Sequence, residues 1–537
     1  MITVLRYRVI HNQALAACIG CMAIDESGVS SSEIQFTNTK RAHLRPAPGA
    51  DFALPHGLPA IVLTSSTMAG RKLLILGGGF GGLDVARAIG CSRVAREYWN
   101  TVLIDKENFF QFNPLLPAVA VGAVETRHIV YPLREAARHR HIRFYKNRAI
   151  SIDLERREVR LHNHLVEGFD TLVIAVGSVT HDYGIPGAIE HTRPFKTLVD
   201  AMTLRARVVE LFEMAEQAES DVHRRRLLSF VIVGGGVTGV EVAAELMDMA
   251  RDTLLPRYPS LDRSHLSVTV IEAGDRLVPA ARPQHSTYVR RFLERRGVTV
   301  ITGAPVSRVE SKRVTLADGR SVQGFTLLWT AGVCPPPLVR DLPVLHAPDG
   351  RAVVDEYLRA LDPDGQPLEH VYVIGDSAAS RTDAGGYQPA LAQTAAGMGS
   401  IVGRNLVAVA TGKSPRRFRF RAAGYIIGLG KHSSVLEIMG IRMSGKLAWL
   451  MWAGAYLVKM VGVRKQIEVG LDHLLHLFFE HDFSQILNRR AVLSDDELNL
   501  RLDAPDPATP AAGNVRDSRA PATPGSQTPG RPDGFAG

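Results

Sequence analysis

Residues 71–82 read RKLLILGGGFGG. The run Leu73, Leu74, Ile75, Leu76 is apolar without alternation, the pattern of a parallel strand buried on both faces. It stops abruptly at a glycine cluster, and a helical stretch, LDVARAIG, follows. Gly77, Gly79 and Gly82 have GxGxxG spacing, with Phe80 inside the turn. Missing side chains there allow a tight turn, close approach of a pyrophosphate and close packing of helix on strand. The helix N-terminus then faces the anion. A second strand, TVLID, ends at Asp105, about 23 residues beyond Gly82, where a carboxylate can accept hydrogen bonds from ribose hydroxyls. A bare GxGxxG marks many ordinary turns; the flanking strand, helix and acid make this one a dinucleotide unit.

The unit recurs. The strand LSFVIV runs into Gly234, Gly235, Gly236, Val237, Thr238 and Gly239, then the helix VEVAAELMDMA, and later the strand VTVIE ends at Glu272. Glycines 234, 236 and 239 repeat the spacing, and the longer gap to Glu272 holds LLPRYPSLDRSH, which reads as an added loop. Two units suggest two nucleotides able to exchange a hydride, a flavin and a nicotinamide. The plainer alternative is a duplicated fold with one dead site.

The rest of the chain sets bounds. At 537 residues it has room for about three domains. A composition of 45% hydrophobic and 22% charged residues is that of a folded globular protein. A net charge of +9 draws it toward anions, either lipid headgroups or nucleic acid, and the sign alone does not choose. Four cysteines (Cys18, Cys21, Cys91, Cys334) are too few for a disulfide scaffold. Residues 1–67 lack a sustained period and read as an extension outside the functional fold, as a start codon placed too far upstream would produce. The Pro- and Ala-rich tail, 503–537, lacks the apolar side chains to offset ordering entropy and reads as disordered.

These residues resemble the two-dinucleotide-binding-domain flavoproteins, and within them type II NADH dehydrogenase, the single-subunit NADH:quinone oxidoreductase. The resemblance runs over about 72–488. It rests on both glycine turns and on NFFQFNPLLP (108–117), TLVIAVGS (171–178), LLWTAGV (327–333) and VYVIGDSA (371–378). It implies an α/β fold of two Rossmann-like domains, with the NAD domain (183–335) inserted between the two parts of the FAD domain (68–182 and 336–420). A C-terminal membrane-associating region (421–490) follows. Gly77, Gly79, Phe80, Gly82, Asp105, Gly177, Gly375 and Asp376 would hold FAD, with Asp376 on the ribityl chain. Gly234, Gly236, Gly239, Glu272 and Gly332 would hold NADH.

Three residues are assigned to the chemistry by the same resemblance. Glu241 matches a family glutamate near the nicotinamide, or else is an ordinary exposed acid favoured by the helix dipole. Gln393 lies in a segment resembling the quinone-side AQxAxQ, here Ala392, Gln393, Thr394, Ala395, Ala396, Gly397. Gly397 replaces the second glutamine, which weakens the polar grip on a quinone carbonyl; Gln at 397 is expected to tighten it. Lys431, in GLGK, would lie near the flavin's pyrimidine edge, where a cation favours the reduced ring. Disulfide reductases of the superfamily need a cysteine pair that is missing here, and sulfide:quinone reduction, with Cys334 alone, is disfavoured too. No metal is expected: Cys18 and Cys21 lack a second pair, and His473, His476 and His481 fit a wet helix face.

The segment 447–463 is the most apolar, roughly 25 Å long as a helix and carrying Lys459, so it is expected to lie in the membrane plane. Trp449, Trp452, Tyr456, Met460 and Val463 would form its lipid face, flanked by Lys446, Lys459, Arg464 and Lys465. A second helix would set Leu471, Leu474, Leu475, Phe478 and Phe479 against Asp472, His473, His476 and Glu480. The expectation is non-electrogenic electron transfer from NADH through FAD to a membrane quinone, peripherally on the cytoplasmic face of the cell membrane. Partners would be quinone and an anionic lipid surface, not nucleic acid, with a homodimer left open. A reductase for a ferredoxin-like carrier and a flavin-binding redox sensor are the alternatives.

Overall fold

The computed structural model describes residues 70–383, 385–420 and 422–475, and then 483, 484, 487, 489–494 and 497. The N-terminal extension, the 503–537 tail, Cys18, Cys21, His476, Phe478, Phe479, Glu480 and His481 lie outside them. Leu73, Leu74 and Ile75 are fully buried at the centre of an eight-stranded sheet. The strand Arg71–Leu76 pairs in parallel with Trp99–Asp105 on one side and Thr171–Ile174 on the other. Beyond Thr171–Ile174 comes Pro367–Val373, also parallel, from much later in the chain. Between these last two strands in sequence lies a second sheet of five parallel strands, in the order 193–194, 326–329, 229–233, 267–271, 298–301. The chain thus leaves the first sheet, builds the second and returns. The exit and return segments, Val179–Thr180 and Val333–Cys334, pair with each other.

The helix Ala392–Ala410 packs on Phe80–Gly90 at very short range, because small residues face each other. A Cβ at Gly399 would strike the Gly81 carbonyl, and one at Gly403 would strike the Ala88 side chain. After it come three antiparallel strands, Gly424–Gly428, Ser434–Ile438 and Ile441–Gly445, and the helices Lys446–Lys459 and Val463–Leu475.

The apolar segment is therefore not one helix over 447–463. It stops at Lys459, Met460 is extended, and Gly462 turns the chain at φ +90°. The face expected to meet lipid is also corrected. Trp452 and Met460 are buried, and Trp449 and Tyr456 pack on the protein's own core. The side chains left outside are Leu447, Leu450, Met451 and Val458, then Val463, Ile467, Leu471, Leu474 and Leu475. The polar face of the second helix turns inward instead. Asp472 is buried against His128 Nδ1 (2.6 Å) and the Glu125 N–H (3.2 Å). His473 is not on a wet face: its ring lies against Trp452 and Trp449, 5.6 and 6.2 Å between centroids.

Candidate functional site

The two glycine turns have the same build. Gly77 has φ +100° and Gly234 φ +110°, backbone that L side chains rarely adopt. Their N–H groups donate to Ile104 and Ile271 carbonyls, both at 2.8 Å. A Cβ at Gly82 would strike the Gly77 carbonyl, and one at Gly239 the Gly234 carbonyl, so neither helix could sit this close to its strand with alanine there. Gly79 and Gly236, which cap the helices Phe80–Gly90 and Val237–Asp248, are different: a Cβ on either meets nothing within 4 Å. Those are the open places in front of the two helix N-termini, where a pyrophosphate fits.

Each acid is already tied to its turn. Asp105 accepts the Gly78 N–H at 2.6 Å and the Glu107 N–H at 2.8 Å; burial still raises its pKa. Glu272 accepts the N–H groups of Gly235 at 2.7 Å and Gly274 at 2.8 Å. Arg276, which could attract a 2′-phosphate near Glu272, donates to the Pro279 carbonyl at 2.8 Å. The Thr330 hydroxyl donates to the Val233 and Gly234 carbonyls at 3.0 Å and braces the second turn.

Asp376 sits where the two passages of the first sheet meet, accepting the Ser178 hydroxyl at 2.6 Å. Ser377 donates to the carbonyl of Gly177, which has φ +72°. Gly375 has φ +72° as well, and Gly332, at φ +69°, lies under the Tyr183 ring. Sequence reasoning missed Lys196, whose Nζ donates to Ser178 Oγ at 2.8 Å. Burial lowers its pKa, with Asp376 opposing. Its only local signal was its place before the Thr197 and Asp200 capping box.

Glu241 is neither exposed nor dipole-bound. Its carboxylate accepts the Gly428 N–H at 2.8 Å, and burial pushes its pKa up to about 8. Glu245, one turn on, is also pushed to about 8, by burial and by Asp248 and Glu241. Asp248 rises to about 6 through burial, held down by Arg296, with which it forms an ion pair. Lys431 is exposed; its N–H donates to Asp248 at 2.7 Å, at the far end of the helix that starts beyond Gly236. With Glu245, His432, Trp449, Trp452 and His473 it lines a cleft. Gln393 is half-buried and donates to the Gly424 carbonyl at 3.1 Å.

Gly397 faces aromatic rings. A Cβ there would lie 3.4 Å from Phe420 and 3.7 Å from Phe418. A glutamine side chain would start in van der Waals contact with this pair, so it would meet two aromatic rings as well as adding an amide.

Among known proteins, a probable NADH dehydrogenase of Dictyostelium discoideum is 29% identical over 430 residues, 77% of this chain and 91% of that protein. Type II NADH:quinone oxidoreductase Ndh of Mycobacterium tuberculosis is 28% identical over 418 residues, 75% and 87% of the two chains. The fold matches that of NDH2 from Plasmodium falciparum, solved with NADH, at a TM-score of 0.72 and 19% identity, over 77% of this chain and 99% of that one. The family model described as pyridine nucleotide-disulphide oxidoreductase matches residues 71–399. Among the described residues the cysteines are Cys91, exposed, and Cys334, buried, so over those residues the likeness is one of architecture and not of a dithiol centre. With two acid-tethered glycine turns in two sheets, one built within the span of the other, the chain belongs to the pyridine nucleotide-disulphide oxidoreductase family.

Proposed function

We propose that this protein is a non-electrogenic NADH:quinone oxidoreductase carrying FAD at the first turn and taking NADH at the second. The observation that carries the proposal is the pair of matched turns, each with an acid bonded to a turn N–H (Asp105 to Gly78, Glu272 to Gly235) and open space before its helix. FAD there would supply an acceptor for the hydride and a donor of two electrons. Gly79 and the N-terminus of Phe80–Gly90 would receive its pyrophosphate, Asp105 a ribose and Asp376 the ribityl chain. Gly236 and Glu272 would take the same roles toward NADH, with the Glu272 carboxylate favouring a free 2′-hydroxyl. Glu241, with its raised pKa, holds a proton on its carboxyl at neutral pH, a useful property where a quinone must gain two.

The acceptor reading draws on the names of the relatives and on the outward apolar side chains of the last two helices. Nine large apolar residues point away from the protein while Asp472 points in, which is the reverse of a water-facing helix. Shallow insertion of that face would contribute roughly 10 kcal/mol at most, with Lys446, Lys459 and Arg464 toward anionic headgroups. Among the described residues no helix is long and apolar enough to cross a membrane, so peripheral attachment is the mode proposed, on the cytoplasmic face. Anaerobic addition of NADH and then a short-chain quinone to the yellow purified protein tests the assignment. Bleaching by NADH followed by rapid recovery on quinone is expected. Recovery no faster than with oxygen alone would exclude a quinone acceptor.

A further inference from the structure

On the acceptor side the chain departs at Gly397 from the AQxAxQ segment that the resemblance implies, and two aromatic rings lie beside that glycine. Gln393 and Gly397 lie one turn apart on Ala392–Ala410, so they share a face. Ala395 and Gly399, on the opposite face, pack against Gly81 in the first glycine turn. The Gln393–Gly397 face therefore looks away from that turn, toward residues 418–424.

There the rings of Phe418 and Phe420 lie nearly parallel, 6.2 Å between centroids and 13° between planes, with Phe420 closest to Gly397. The segment carrying them has no regular secondary structure, yet it is pinned. The Phe418 N–H donates to the Glu356 carbonyl at 2.6 Å, Arg417 pairs with Glu356 at 2.9 Å, and the buried Asn405 holds both the N–H (2.8 Å) and the carbonyl (2.9 Å) of Arg416. Both rings remain half-exposed. A fixed, partly open pair of aromatic rings thus lies in contact range of the position where a second amide side chain would begin.

Resting on the quinone reading above, we infer that Phe418 and Phe420 position the acceptor ring by stacking in place of the missing amide, which makes the site selective for fused two-ring naphthoquinones over one-ring benzoquinones. A second fused ring adds stacking area, whereas the two classes offer the same two carbonyls to Gln393. The overall reaction is unchanged: NADH, one proton and the quinone give NAD⁺ and the quinol, the quinone gaining two electrons and two protons.

The two quinone classes differ in driving force, so the test compares variants and not acceptors alone. The ratio of kcat/KM for menadione to that for a tail-less dimethoxybenzoquinone is measured in the FAD-loaded wild type, Phe420→Leu, Phe418→Leu and Gly397→Gln. Calorimetric binding of both quinones to the oxidised enzymes accompanies it. Leucine keeps apolar bulk and removes the ring, so the ratio should fall about fivefold in Phe420→Leu, through a higher KM and weaker binding of menadione. Gly397→Gln, whose side chain would start against both rings and compete for their open faces, should lower it too. Reduction by NADH should not change in any variant. If both quinones are turned over and bound with an unaltered ratio in both leucine variants, the inference fails while the quinone reading stands. If neither quinone reoxidises the wild type, both fall together.

Discussion

Replacing Glu241 by Gln isolates the consequence of burying an acid beside Gly428. The amide oxygen of Gln can accept the same N–H, so the fold keeps its hydrogen bond while losing the ionisable group. In the wild type, burial raises the Glu241 pKa from 4.5 to about 8. Between those values the folded protein keeps a proton that the unfolded chain has released, so native stability falls as pH rises through that window. Glutamine has no such dependence, and the parallel rise of Glu245 is present in both proteins below pH 8, where Glu241 is neutral. The stability of Glu241→Gln relative to wild type should therefore grow with pH by about 1.4 kcal/mol per unit, roughly 3 kcal/mol between pH 5 and pH 7. Urea unfolding of both FAD-loaded proteins at several pH values reads this directly. A difference that stays flat, or narrows with rising pH, would refute the claim that the fold holds Glu241 neutral. In parallel, reduction by NADH should be little altered, while reoxidation by quinone should lose its pH dependence near 8.

The glycines of the second turn should separate by role. Gly236→Ala, placed in open space, should leave the unfolding midpoint unchanged and raise the KM for NADH about tenfold, whereas Gly239→Ala, whose Cβ meets the Gly234 carbonyl, should lower the midpoint markedly; thermal unfolding and steady-state kinetics together check both. NADH should be favoured over NADPH, and Glu272→Ser should narrow that preference by about tenfold, read as the ratio of kcat/KM values. Equal efficiency with both nucleotides in the wild type would contradict the role given to Glu272. Val458→Asp combined with Ile467→Asp, two of the most exposed apolar positions, should abolish co-sedimentation with anionic vesicles, whereas Trp452→Phe, inside the fold, should not. High salt should weaken the wild-type attachment without eliminating it, since apolar burial is not screened.

Both nucleotide units were legible in the sequence because their geometry is local. A strand, three glycines at fixed spacing and an acid at the end of the next strand are dictated by backbone sterics within a few dozen residues, and Gly77, Gly82, Gly234 and Gly239 leave no other residue room. The nesting of one sheet within the span of the other also followed from motif order along the chain. What only the tertiary structure decided is which way a side chain faces when either choice satisfies the helical period. In 446–475 both faces carry apolar residues, so periodicity placed Trp449, Trp452 and Tyr456 outward, and packing against the core turned them in and left Leu447, Leu450 and Val458 outside. The same holds for Glu241, whose burial depends on Gly428 nearly two hundred residues away, for Lys196 reaching Ser178, and for Gly397, where the absence of a side chain acquires meaning only once Phe418 and Phe420 are seen beside it. Contacts between residues so distant in sequence leave no period to read, because they arise from the summed packing of elements and not from the preference of any one of them.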